Sequence, residues 1–197
     1  MATKNLSAIR AVVRQFLNDE FVSGTEYEFK DDELNLYIGK ILGKVSQRRP
    51  YQVKETVVSD GTREVDLSDI EDLLLPDSIV KVEYPTGNEP PTFCDFSIFG
   101  STLRFDDVTP TSGENIYLYC EKVHQLTETV SECTLTSVME DVLIEGAIAS
   151  AAQSWCNRMR NQIVPQSYNW HKAWANEQFL IYQNSLDDIT PQKEWEF

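Results

Sequence analysis

Two periods follow one another along the chain. Apolar residues first recur at helical spacing: Leu6, Ile9, Val13, Phe16 and Leu17 mark one stripe over residues 5–18. Arg10 and Arg14 sit four apart on a more polar face of that helix. Gly24 breaks the run, and residues 26–30 read as a polar connector. A second helix starts at Asp31 or Asp32, either of them a suitable N-cap, with Glu33 facing the dipole from the first turn. Leu34, Tyr37, Ile38, Ile41, Leu42 and Val45 form its stripe, and Pro50 stops it. Arg48 and Arg49 before the stop read either as cations complementing the helix C-terminus or as a small basic binding spot.

The period then changes to two. Residues 51–58 alternate, and Asp60-Gly61 follows as a strong hairpin signal, so residues 62–67 are expected to return beside the first strand. A short helical turn is expected over residues 67–75, ended by Pro76. Further strands are read at 79–84, 93–99, 102–106 and 115–124, separated by turns rich in Pro, Gly and Ser. In the last strand Ile116, Leu118 and Cys120 share one face and Tyr117 and Tyr119 the other. Short, regularly spaced strands imply an antiparallel sheet, sandwich or small barrel. Residues 126–135 carry few structure signals and read as a polar loop.

Helical spacing returns near Thr136 or Ser137, with Glu140 placed for a capping box. This third helix should reach about residue 160. Its Gly146, Ala147, Ala149, Ser150, Ala151 and Ala152 are small enough for a neighbouring helix to approach closely. A fourth helix over 167–186 is loaded with Trp170, Trp174, Phe179, Leu180 and Tyr182, a set suited to a core or to a subunit interface. The expected fold class is therefore α+β: a helical bundle from residues 1–50 and 136–186, an antiparallel β module from 51–125 inserted between its halves, and an extended C-terminal tail, 187–197. Trp195 and Phe197 on that short acidic tail cannot form a core alone, so they fold back on their own domain or anchor in a partner's pocket.

Composition narrows the function more than it names it. The 197 residues hold 41% apolar side chains, enough for a real core without metal or disulfide staples. No stretch approaches a membrane span and the first residues lack an apolar signal segment, so a soluble, cytosolically made protein is expected. Formal net charge is -15, and residues 51–145 hold 20 acidic against 5 basic side chains. So acidic a surface repels phosphate, which argues against a tight grip on nucleic acid. Cys94, Cys120, Cys133 and Cys156 form no CxxC pair and are expected to be reduced thiols. Cys120, His124 and Cys133 could in principle hold zinc, although their spacing matches no standard knuckle. Cys120 and His124 share a strand face but stand too far apart for a Cys-His pair. Asp66 with Asp69, and Asp106 with Asp107, fall at strand ends, where Asp commonly bonds its own turn. None of the motifs HExxH, GxSxG, GxxxxGK[ST] or GxGxxG occurs. The expectation is a protein that is not an enzyme and has no cofactor or metal.

Taken in order, these stretches resemble the head–tail connector (adaptor) proteins of tailed bacteriophages. The resemblance lies in the opening helix IRAVVRQFLND, the second helix DDELNLYIGKILGKVSQRRP and the segments REVDLSDI and IVKVEYPTG. It continues in the strands FSIFGSTLRFDDVTPTSGENIYLYCEKVH and the small-residue helix VLIEGAIASAAQSW, so that it covers most of residues 7–186. Each motif is soft; order and spacing carry the likeness. It implies a structural virion protein, located in the neck between capsid and tail and assembled in the host cytoplasm. It implies a homo-oligomeric ring, commonly a dodecamer, beneath the portal protein. That ring would offer a surface to the next neck or tail protein and let DNA pass without binding it tightly. It further implies a C-terminal segment that docks on the portal, here Asp187, Asp188, Glu194, Trp195, Glu196 and Phe197. Another neck or tail-completion protein, or a ligand- or glycan-binding β module on a helical scaffold, are the competing readings.

Overall fold

The structure, a computed structural model, describes residues 3–19, 28–73, 78–160, 163 and 165–189. Its elements run α1 (Leu6–Leu17), α2 (Asp31–Arg48), β1 (Tyr51–Val58), β2 (Glu64–Asp66), β3 (Ile79–Glu83), β4 (Phe96–Phe99), β5 (Thr102–Phe105), β6 (Asn115–Lys122), a 3-10 turn at Val130–Glu132, α3 (Ser137–Met159) and α4 (Pro165–Asp188). The fold class is α+β, four helices and two small antiparallel sheets. The described chain divides into a helical unit, residues 3–49 and 124–189, and a β unit, residues 50–123.

In the helical unit each stripe supplies one wall of a common core. Ile9 and Val13 of α1 meet Leu34, Ile38, Ile41 and Val45 of α2, Leu143 and Ala147 of α3, and Tyr182 of α4. Each fully buried aliphatic there contributes roughly 1.5–3 kcal/mol. Asn5 caps α1, its Oδ1 accepting from the Ala8 amide at 2.8 Å, and Asn18 ends the helix at φ 54°, a conformation Asn tolerates. Phe16, read as part of the stripe, is 65% exposed. Arg14, read as polar surface, is buried instead. The N-cap of α2 is Lys30, whose ammonium cannot accept a cap bond, and Asp31, in the first turn, pairs its carboxylate with Arg14 (2.7 Å). The expected capping box of α3 does not form either. Thr136 is the N-cap, which puts Met139 where the box would need a carboxylate.

The β unit holds two three-stranded sheets, ordered β1-β6-β3 and β2-β5-β4, around one core that includes Val65, Val82, Leu103, Phe105, Ile116 and Leu118. Alternation in β6 holds as read: Ile116, Leu118 and Cys120 are buried, and Tyr117 and Tyr119 are half-buried on the other face. The expected β1–β2 hairpin is overturned. β1 pairs with β6 in eight register pairs, from Tyr51↔Lys122 to Val58↔Asn115, and β2 pairs with β5. Asp60-Gly61 does turn the chain, with Gly61 at φ 90° and the Thr62 amide on Asp60 Oδ1 (2.8 Å). That turn carries the chain from one sheet to the other. The local hairpin of this unit is β4–β5, closed by Gly100-Ser101 with Gly100 at φ 63°.

Candidate functional site

The residues expected to dock on a partner divide at the end of α4. Asp187 and Asp188 are its last two residues and are exposed, so the helix runs past the boundary expected at residue 186. Glu194, Trp195, Glu196 and Phe197 lie outside the described residues. The last turn of α4 is held from α2. Arg48 donates from Nη2 to the Asp187 carbonyl and from Nε to the Ile189 carbonyl, each at 3.4 Å, and Ile189 is buried in the helical core. Arg48 thus stands in the last turn of its own helix, as read, and complements the C-terminus of α4 as well.

Two carboxylate clusters escaped the sequence reading. Glu140, on the first turn of α3, has no solvent exposure. It accepts from the Thr3 amide and hydroxyl, from the Lys4 amide at 3.0 Å and from Lys4 Nζ at 3.2 Å. Burial alone would push its carboxyl up, yet the bonds from Thr3 and Lys4 outweigh it and hold the group below the usual range. The second cluster centres on Arg14, which bridges Asp19 and Asp31. Asp19 in turn accepts from the amides of Glu28 (2.7 Å) and Phe29 (3.3 Å). The only trace of either in the sequence is a charge on an otherwise apolar helix turn, and charge at such positions commonly means surface.

His124 and Cys120 are engaged structurally. His124 is buried, with Nε2 2.9 Å from the Arg49 carbonyl and Nδ1 2.9 Å from Thr134 Oγ1. A carbonyl only accepts, so the proton belongs on Nε2 and Nδ1 accepts from the threonine. Burial, the largest influence, lowers its pKa and favours this neutral form. All four cysteines are free thiols. Cys120, buried in the β core, is pushed up to about 12 by burial, which removes it as a nucleophile at neutral pH. Asp66 accepts from the Ser68 amide (2.9 Å), a local turn bond, and Asp106 accepts from Ser97 Oγ (3.0 Å), a side-chain bond from the neighbouring strand. Among the described residues no group of three or more His, Cys, Asp or Glu could hold a metal ion. No helix among them is long and apolar enough to cross a membrane.

The helical unit also exposes several large apolar side chains. Tyr182 of α4 belongs to the core, and Trp174 and Phe179 pack partly against it. Trp170 is 65% exposed, and Leu180 and Ile181 are exposed too. Trp170 and Ile181 share one flank of α4. Leu36 of α2 and Val138 of α3 add to the exposed set. Beside Asp19 a cavity of about 240 Å3 is walled by Phe29, Trp155 and Trp174, with the His171 ring edge-on to Trp155 at 4.6 Å. Neither a protein-family model nor a curated protein matches this chain.

Proposed function

We propose that this chain is a head–tail connector subunit of a tailed bacteriophage. In this reading it forms a ring beneath the portal, bridges capsid and tail in the virion neck, and presents a surface to the next neck or tail protein. The reading rests on the order of segments that resembles that family. The structural observation that supports it is the exposure of Trp170 and Ile181 on one flank of α4, which suits burial against a neighbouring subunit. The acidic balance of the chain, -15, fits a channel wall that DNA passes without sticking. The segment that continues from Asp188 to Phe197 would reach the portal, with Trp195 and Phe197 as its anchors.

The test is assembly. Light scattering and electron microscopy of the purified chain, alone and with portal-bearing heads, should show closed rings that sit on the portal vertex. Replacing Trp170→Glu and Ile181→Glu together should leave the helical circular dichroism unchanged and give monomers that no longer decorate heads. A parent protein that stays monomeric with and without heads would reject the connector reading.

A further inference from the structure

Within the helical unit, the exposed flank of α4 has a counterpart on α2. Asp32, Leu36, Lys40, Gly43 and Gln47 follow one another along one side of α2 at helical spacing, away from its buried stripe of Leu34, Ile38, Ile41 and Val45. Leu36 is 70% exposed. A Cβ built on Gly43 would meet nothing within 4 Å, so a hollow lies two turns beyond that leucine. On α4, Trp170, Ala173, Glu177, Ile181 and Asn184 form a similar row, all of them exposed, on the side away from the buried Ala175 and Tyr182. The side chains of Asp32, Lys40 and Glu177 make no hydrogen bond or ion pair among the described residues. Each row thus carries an unpaired charge at its middle, positive on α2 and negative on α4, with apolar groups beside it.

The two rows match in order, size and charge. Laid side by side in the same direction, they pair Asp32 with Trp170, Leu36 with Ala173, Lys40 with Glu177, Gly43 with Ile181 and Gln47 with Asn184, each pair 137 or 138 positions apart. Large meets small twice, in opposite senses. Opposite charges meet in the middle, and the indole N–H of Trp170 faces a carboxylate. Reversed about the same ion pair, Leu36 would meet Ile181 and Gly43 would meet Ala173, large on large and small on small. Within one chain α2 and α4 already run the same way: Ile41 and Tyr182 both close on Gly146, and further along Arg48 reaches the carbonyls of Asp187 and Ile189. Those contacts are 139 to 141 positions apart. A copy rotated about an axis close to the helix direction therefore needs a shift of only about three residues, roughly 5 Å, to reach the matching register. We propose that the outward face of α2 binds the α4 flank of a second copy of this chain, the helices parallel, Lys40 on Glu177 and Ile181 in the hollow at Gly43. Face and flank are different surfaces, so the contact is head-to-tail and repeats from copy to copy. It deepens the connector reading and rests on it only for the closure of a ring on the portal.

Exchange of the charges tests the pair. Lys40→Glu sets two carboxylates against each other and Glu177→Lys two cations. Each variant alone should self-associate about ten-fold more weakly than the parent in sedimentation, with unchanged circular dichroism. Mixed, the two should associate like the parent, because every contact between unlike copies again joins opposite charges. A mixture no better than its components would overturn the contact. Oxidation tests the register. In a background of Cys94→Ser and Cys133→Ser, Gly43→Cys with Ile181→Cys should give ladders of linked chains. Gly43→Cys with Gln183→Cys, which lies off that flank, should not. Within one chain nothing stands within 4 Å of a Cβ at residue 43, so the bond forms between copies. No ladder from the first pair, or an equal ladder from the second, would overturn the register. Heads separate the two readings. Ladders from chains that never decorate portal-bearing heads keep the contact and reject the connector reading. Rings on heads that yield no ladder reject the contact alone, and a chain that stays monomeric with and without heads rejects both.

Discussion

Glu140 shows how little solvent a charge needs when its donors are fixed. Its carboxylate is fully buried, yet two amides, a hydroxyl and an ammonium converge on it from Thr3 and Lys4. The chain before α1 is tied to α3 largely through this one side chain. Glu140→Gln keeps the shape but removes the charge and turns an amide NH2 either toward the amides of Thr3 and Lys4 or toward the Lys4 ammonium and the Thr3 hydroxyl, of which only the hydroxyl can accept. The expected cost is about 2 kcal/mol at pH 7, since bonds to charged groups contribute roughly 1.5–3 kcal/mol, measured by urea unfolding. The pH dependence has a defined sign. The folded pKa lies below the unfolded value of 4.5, so the contribution is present above about pH 4.5 and disappears as pH falls through the folded value. Parent and variant should therefore converge in acid. A gap that persists unchanged at pH 3 would mean the charge is not what holds the segment.

At the scale of elements, the small residues of α3 do what their size suggests. A Cβ built on Gly146 would lie 2.8 Å from Ile41 Cγ2 and 2.8 Å from Tyr182 Cε2, so α2 and α4 both close on this point. Gly39 and Gly43 on α2 have nothing within 4 Å of such a Cβ. The same substitution should thus have opposite signs. Gly146→Ala gains helix propensity, about 1 kcal/mol, but overpacking costs about 1–3 kcal/mol, and Tyr182 has little room to move. A net loss is expected there. Gly39→Ala or Gly43→Ala should raise the melting temperature by a few degrees, as about 1 kcal/mol does in a chain of this size. Helices were legible in the sequence because each carries its own stripe. The partner of β1 was not, because β6 lies far along the chain while Asp60-Gly61 offered a nearer and false one. The burial of Arg14 was hidden for a like reason: Asp19 and Asp31 reach it from beyond its own helix.

At the scale of the whole molecule, the β unit behaves as an insert with its two ends together. Tyr51 and Lys122 are register partners across β1 and β6, which sets their Cα atoms about 5 Å apart. On the helical side, the Arg49 carbonyl accepts from His124 Nε2 at 2.9 Å, so that unit also brings the two chain ends side by side. A short linker of Gly and Ser in place of residues 51–122 then closes a gap that both units already close. Loop-closure cost changes slowly with length, by about 0.6 kcal/mol per doubling, and a shorter loop lowers it. Among the described residues the main core of the helical unit holds 18 buried apolar residues, whereas that of the β unit holds 10. The helical unit without its insert should therefore melt cooperatively with the helical circular dichroism expected of α1 to α4. The isolated segment 50–123 should fold too, with dispersed amide resonances but a lower melting temperature, as its smaller core implies. A deletion chain that keeps helical signal but shows no cooperative transition and binds hydrophobic dye would mean that the core around Ile41, Gly146 and Tyr182 does not assemble without the β unit.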